Sequence, residues 1–150
     1  MKRITIDQLQ KKMNAFDHAR TASISSEGWV RSVRSAIGMT LEQLGKKLSL
    51  SRQSVKAIEK REQDGSITIN ALRDAAKALD MELVYGFVPL DGTLEKYIAR
   101  KAELLALKIV HRTSHSMMLE NQENSNKRLA KAITERKKEI IREMPKALWD

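Results

Sequence analysis

Residues 39–62, M-T-L-E-Q-L-G-K-K-L-S-L-S-R-Q-S-V-K-A-I-E-K-R-E, restrict the possible folds of this chain more than any other stretch. Two helix starts occur here, marked in the same way. Thr40 is placed to cap a first helix, and Gln43 three positions on completes a capping box, while Ser51 is placed to cap a second. Ahead of each cap an apolar residue can meet one five positions later, Met39 with Leu44 and Leu50 with Val55, as a hydrophobic staple. The spacing therefore predicts two short helices joined by a tight turn.

Turned through about 100° per residue, the second helix sorts its faces. Val55, Ile58 and the Ser51 cap point one way, and Gln53, Lys56, Ala57 and Lys60 point the other. A polar, basic and unobstructed face is what a helix needs to enter the major groove of DNA. Arg52 can bond guanine bidentately or take a phosphate, Gln53 suits the adenine edge, and Ala57 can lie against a thymine methyl. Lys56, Lys60 and Arg61 suit phosphates, and backbone amides at the first helix start, beside Thr40, can hold another. Thr40, Gln43 and Ser54 complete the candidate DNA-contacting set. Each basic side chain taken alone could be ordinary solvated surface. The patch as a whole is not explained that way.

These residues resemble the helix-turn-helix of the Cro and phage-repressor (XRE-like) family, with Gly45 as the small residue, apolar anchors at Leu44, Leu50, Val55 and Ile58, and S-R-Q-S opening the recognition helix. There are two departures. Leu41 stands where the family often has a phosphate-holding Gln, and Ser49 stands where it usually has Gly in the turn. The phosphate clamp must then be made differently.

Charge fits the same partner. A formal charge of +9 and a pI near 9.9 favour a polyanion. Only 4% of residues are aromatic, which disfavours single-strand binding by stacked bases. There is no cysteine, so disulfides and thiolate metal sites are excluded, and a reducing cytoplasm fits. No apolar run approaches the roughly 18 residues of a membrane span, and M-K-R-I-T-I-D-Q-L lacks the apolar core of a signal peptide.

The remainder reads as mainly helical. Residues 5–20 suit a helix capped by Thr5 with Ile6, Leu9, Met13 and Phe16 along one face, followed by a small-residue linker at 21–28. A helix from Trp29 to Ile37 buries Trp29, Val30, Val33 and Ile37 and stops at Gly38. After the turn at Asp64-Gly65, Thr68 caps another helix, stapled by Ile67 to Leu72 and buried through Leu72, Ala75, Ala76 and Leu79. Glu59 falls near the buried side of the recognition helix. An internal ion pair with Arg34, common in the resembled family, and a solvated glutamate are both open to it.

E-L-V-Y-G-F-V at 82–88, stopped by Pro89, is rich in β-branched and aromatic residues and reads as a single strand. One strand needs a partner, either an N-terminal strand near Ile4 or its own copy across a dimer axis. A long helix from Thr93 to about residue 122 follows, carrying Leu94, Ile98, Ala102, Leu105 and Ile109 at turn spacing. Beyond a polar break at 121–126, a second helix with Leu129, Ile133, Ile140 and Met144 runs to Glu143, and Pro145 ends the stripe. The two suggest a helical hairpin that dimerises or binds another protein.

Beyond the motif, the whole chain resembles a small bacterial family called mobile mystery protein A. The resemblance rests on G-W-V-R-S-V-R (28–34), S-R-Q-S-V (51–55), E-K-R-E-Q-D-G-S-I-T-I (59–69), A-L-D-M-E-L-V-Y-G-F-V-P (78–89), M-M-L-E-N-Q (117–122) and L-W-D (148–150). It implies a regulator of mobile or plasmid-borne gene pairs whose companion is a Fic-domain protein, an enzyme class that transfers AMP from ATP to proteins. Antitoxins that silence Fic enzymes carry [S/T]-x-x-x-E-[G/N] on a helix, its glutamate pairing with an arginine in the nucleotide site. Ser116, Glu120 and Asn121 match that pattern, and Ser and Glu four apart share a helix face. The pattern recurs at Ser23, Glu27 and Gly28, in the linker, so a solvated Glu120 stands beside the inhibitory reading.

His111 and His115 have the i, i+4 spacing of a metal pair, but Arg-Thr-Ser lies between them and no carboxylate or cysteine completes a shell. Seven methionines along apolar faces suit core filling. Neither a Gly-rich phosphate loop, a nucleophile elbow nor an H-P-F-x-x-G-N-G-R run is present, so the chain is expected to be neither an enzyme nor the Fic protein itself, and no cofactor is implied. The expectation is a mainly α chain: an N-terminal helix and linker (1–27), a lambda-repressor-like helix-turn-helix bundle (28–80), one short dimerising β-strand (81–90) and a C-terminal long-helix hairpin (91–150). Its function would be that of a cytoplasmic, nucleoid-associated homodimer reading a pseudo-palindromic double-stranded operator, or alternatively an antitoxin clamping a Fic partner.

Overall fold

The computed structural model describes residues 2–22, 25–114 and 122–150. Its α-helices are α1 (Lys2–Asn14), α2 (Trp29–Ala36), α3 (Leu41–Leu48), α4 (Arg52–Asp64), α5 (Ile69–Ala78), α6 (Leu94–Ser114) and α7 (Gln122–Glu143), with 3₁₀ turns at His18–Thr21 and Lys146–Trp149. Two units hold them. Residues 18–86 contain α2 to α5, and residues 1–17 with 87–150 contain α1, α6 and α7.

In the first unit three helices start where the sequence supplies an acceptor. Thr40, Ser51 and Thr68 hydroxyls accept from the amides of Gln43, Ser54 and Ala71 at 3.1, 3.2 and 3.1 Å. Gln43 returns the bond, its Oε1 accepting from the Thr40 amide at 2.8 Å, so the capping box is complete. No side chain of its own caps α2. Glu62, on α4, reaches across instead, and its Oε1 accepts from the Val30 amide at 2.8 Å. Gly28, at φ 83°, keeps that approach open, since a β-carbon there would sit 2.7 Å from the same Glu62 oxygen.

Val30, Leu44, Val55, Ala75 and Leu79 form the core, with Val33, Met39, Leu41, Leu48 and Leu72 packed against it. Met39 reaches this core as its staple with Leu44 predicts. Leu50 keeps 43% of its surface exposed, and Trp29 and Ile37 each keep 55%. The expected stripe on α2 thus narrows to Val30 and Val33, because eight residues turn only so much surface toward one core.

The turn between α3 and α4 is tight enough to dictate its residues. A β-carbon on Gly45 would lie 2.6 Å from the Leu50 carbonyl oxygen, and the Leu50 amide donates to the Gly45 carbonyl at 2.8 Å. Ser49 occupies the left-handed region, φ 56° and ψ 40°. A side chain there costs about 1–2 kcal/mol, against about 0.5–1 kcal/mol of extra chain entropy for glycine. Ser49→Gly is therefore expected to stabilise this unit by about 0.5–1 kcal/mol, read as a higher urea midpoint. A lowered midpoint would contradict the strained turn.

The second unit is built on α6 packed along α7, as a helical hairpin requires. Ile98, Ala102, Ala106, Ile140 and Leu148 are buried, with Ile6, Leu105, Ile109, Ile133 and Met144 against them. Alanines at 102 and 106, one turn apart, bring the helices close. From α1, Gln10 Oε1 accepts from the Leu94 amide at 2.7 Å and so caps α6. Arg100 donates twice to Asp91, at 2.8 and 3.1 Å, which holds the Asp91 carboxyl below its ordinary pKa. Tyr97 and Trp149 rings pack 5.4 Å apart.

Several expectations need correction. The N-terminal helix ends at Asn14, and Thr5 lies inside it rather than capping it. The run at 122–126 is the beginning of α7, not a break, because polar residues such as Gln, Glu, Asn and Ser can continue a helix as well as end one. The strand expected within 81–90 is not formed, and none of the described residues is in a strand. A β-rich composition makes a strand only when a second edge accepts its ladder bonds. Here Val84, Tyr85, Phe87 and Leu90 stand 67%, 58%, 85% and 97% exposed.

Candidate DNA-binding surface

α4 is fixed from behind. Val55 and Ile58 are buried in the core face, and Glu59 beside them is 7% exposed. Arg34, on α2, donates from Nε to Glu59 Oε1 at 2.5 Å and from Nη2 to Oε2 at 3.2 Å, a bidentate pair. Its Nη1 donates to the Met39 carbonyl at 2.9 Å, in the α2–α3 connection. The solvated reading of Glu59 is thereby set aside. One guanidinium ties α2 to both the α2–α3 connection and α4.

With that side occupied, the other faces outward. Arg52, Gln53, Lys56, Lys60 and Arg61 are exposed, and Ala57 is half-buried among them. Arg52 Nη1 lies 3.9 Å from Glu42 and Lys60 Nζ lies 3.4 Å from Asp64, both loose surface pairs that a stronger anion can displace. Ser54 is different. Its hydroxyl is 3.0 Å from that of Ser51, within the capping network and half-buried, so it shapes the helix start before it can reach a base.

Thr40 and Gln43 are committed through their oxygens, yet the Gln43 amide nitrogen and the Thr40 hydroxyl hydrogen stay available to a phosphate. Lys46 and Lys47 were not among the residues expected from sequence. With Ile37, Gly38, Met39 and Gln43 they line a shallow concavity of about 480 Å³ beside the α3 start. Their ammonium groups are hydrogen-bond donors of the kind that Leu41 lacks. Their i+3 and i+4 spacing from Gln43 carried the signal.

Residues 30–85 match the helix-turn-helix family model. The match covers α2 to α5, with α3 and α4 as the two helices of the motif, and does not extend to α6 or α7. No curated protein and no solved structure gives a significant match. A helix-turn-helix places its second helix in the major groove and its first across the backbone. In the matched region α3 and α4 are the successive helices joined by the tight turn at Ser49 and Leu50.

Ser116, Glu120 and Asn121, the candidate Fic-inhibitory residues, lie outside the described residues, as does His115. Among the described residues no cluster of His, Asp and Glu could hold a metal ion, and no helix is long and apolar enough to cross a membrane.

Proposed function

We propose that this chain is a sequence-specific DNA-binding transcriptional regulator that acts as a homodimer and represses its own operon. One observation carries the reading. The outward face of α4 joins two base-reading side chains, Arg52 and Gln53, to the phosphate-seeking Lys56 and Lys60, on a helix locked behind by Arg34 and Glu59. Arg and Gln are the side chains whose forks match guanine and adenine edges.

Two-fold assembly follows from what such regulators read, since a pseudo-palindrome needs two recognition helices about 34 Å apart. The exposure of the apolar Val84 and Tyr85 supports this reading, as an apolar contact for such an assembly. The wider resemblance extends the reading to a cytoplasmic regulator whose operon includes a gene for a Fic-domain protein.

Selection of binding sites from a randomised duplex pool tests the proposal. Enrichment of an inverted repeat with half-site centres one helical turn apart is expected. A pool that stays random after repeated rounds would defeat the regulator reading, and a single asymmetric half-site would defeat the dimer.

A further inference from the structure

The α6–α7 unit holds more of the chain's positive charge than the helix-turn-helix unit does. Residues 1–17 and 87–150 carry 17 Lys and Arg against 11 Asp and Glu, whereas residues 18–86 carry 11 against 8. On α7 that charge is ordered. Ile133, Ile140 and Met144 turn toward the core, and Lys127, Lys131, Lys138 and Arg142 fall within about 60° of one another on the opposite side. All four are exposed, and at 1.5 Å per residue they span about 22 Å.

Two cations on other faces of α7 are engaged, while Arg128 is exposed beside the stripe. Arg136 donates to Glu139 at 2.7 Å, and Lys137 lies 3.7 Å from Glu103. Lys127, Lys131 and Lys138 have no ion pair among the described residues, and Arg142 has only the exposed Glu143 at 3.8 Å. Glu135, Glu139 and Glu143 form a separate row on one flank. Asp7 and Glu95 line a groove with Lys138 and Arg142, and in the sequence Glu123 stands four residues before Lys127.

We propose that this stripe is a second nucleic-acid surface, one that grips the phosphate backbone of double-stranded DNA without reading its sequence. The inference rests on the reading of the chain as a DNA-binding regulator and adds the partner of its other unit. Lysines are point charges suited to phosphates. No aromatic side chain lies on the stripe to stack an unpaired base. Nor does the stripe offer the aromatic anchor that an acidic protein partner would bury.

The test is a salt series with the full chain, comparing wild type with the triple variant Lys127→Ala, Lys131→Ala and Lys138→Ala on the selected operator and on a scrambled duplex. The sites are exposed and alanine favours helix, and unchanged circular dichroism checks that α7 persists. Each phosphate contact contributes about 0.9 to the slope of log affinity against log salt, so the slope is expected to fall by about 2–3 on both duplexes. The preference for operator over scrambled DNA is expected to be unchanged. A wild-type slope in the variant overturns the proposal. If that variant has also lost binding to polyglutamate, the stripe serves an acidic protein instead. Absence of operator preference in the wild type would count against the regulator reading alone, leaving the slope comparison intact.

Discussion

Glu59→Ala is expected to destabilise the helix-turn-helix unit by about 3–5 kcal/mol, because removing one partner of a buried ion pair leaves the other charge uncompensated. The Arg34 side chain is 13% exposed and would keep only its bond to the Met39 carbonyl. Against the 5–15 kcal/mol typical of a domain, such a loss approaches the whole stability of a small unit. Urea unfolding followed by tryptophan fluorescence in a Trp149→Phe background isolates the response, since Trp29 then reports from this unit alone. Pairing Glu59→Leu with Arg34→Met should recover much of the loss, as apolar replacements of buried pairs do elsewhere. A loss below about 1 kcal/mol for Glu59→Ala would mean the pair is solvated.

The second large effect concerns reading rather than folding. Arg52→Ala with Gln53→Ala removes both side chains proposed to read bases from an exposed helix start while leaving Ser51 to cap it. Each bidentate contact is worth about 1–3 kcal/mol of discrimination, so operator preference should fall at least about 30-fold per half-site, with stability nearly unchanged. Lys60→Ala should behave differently, weakening operator and scrambled duplex together and flattening the salt slope by about 0.9. Fluorescence anisotropy with the two duplexes separates these cases. If the double variant kept the wild-type operator preference, α4 would not be the reading helix.

What the sequence reveals follows the range of the interactions. The caps at Thr40, Ser51 and Thr68 are local and legible, each needing only a side chain three residues from its amide. The Arg34–Glu59 pair is legible as one of two readings, because helix periodicity places Glu59 inward before any partner is known. The cap that Glu62 provides to Val30 joins residues 32 apart, and nothing in the local pattern marks it. The burial of Trp29 and Ile37 is overestimated for a related reason: periodicity tells which residues share a face, not how wide the opposing surface is. The run at 81–90 misleads most. Its composition describes a strand, but a strand is a property of two edges, and composition describes one.

Glu59 and Glu62 lie one turn apart on α4, and both hold α2. On the ribosome the consequence is a delay. α2 emerges with glycine at its start and no cap, and its acceptor is made 32 residues later, about 2–6 s at ordinary rates of synthesis. Until α4 has emerged neither helix is held in place. The clamp between α2 and α4 is therefore completed only once both helices have been made.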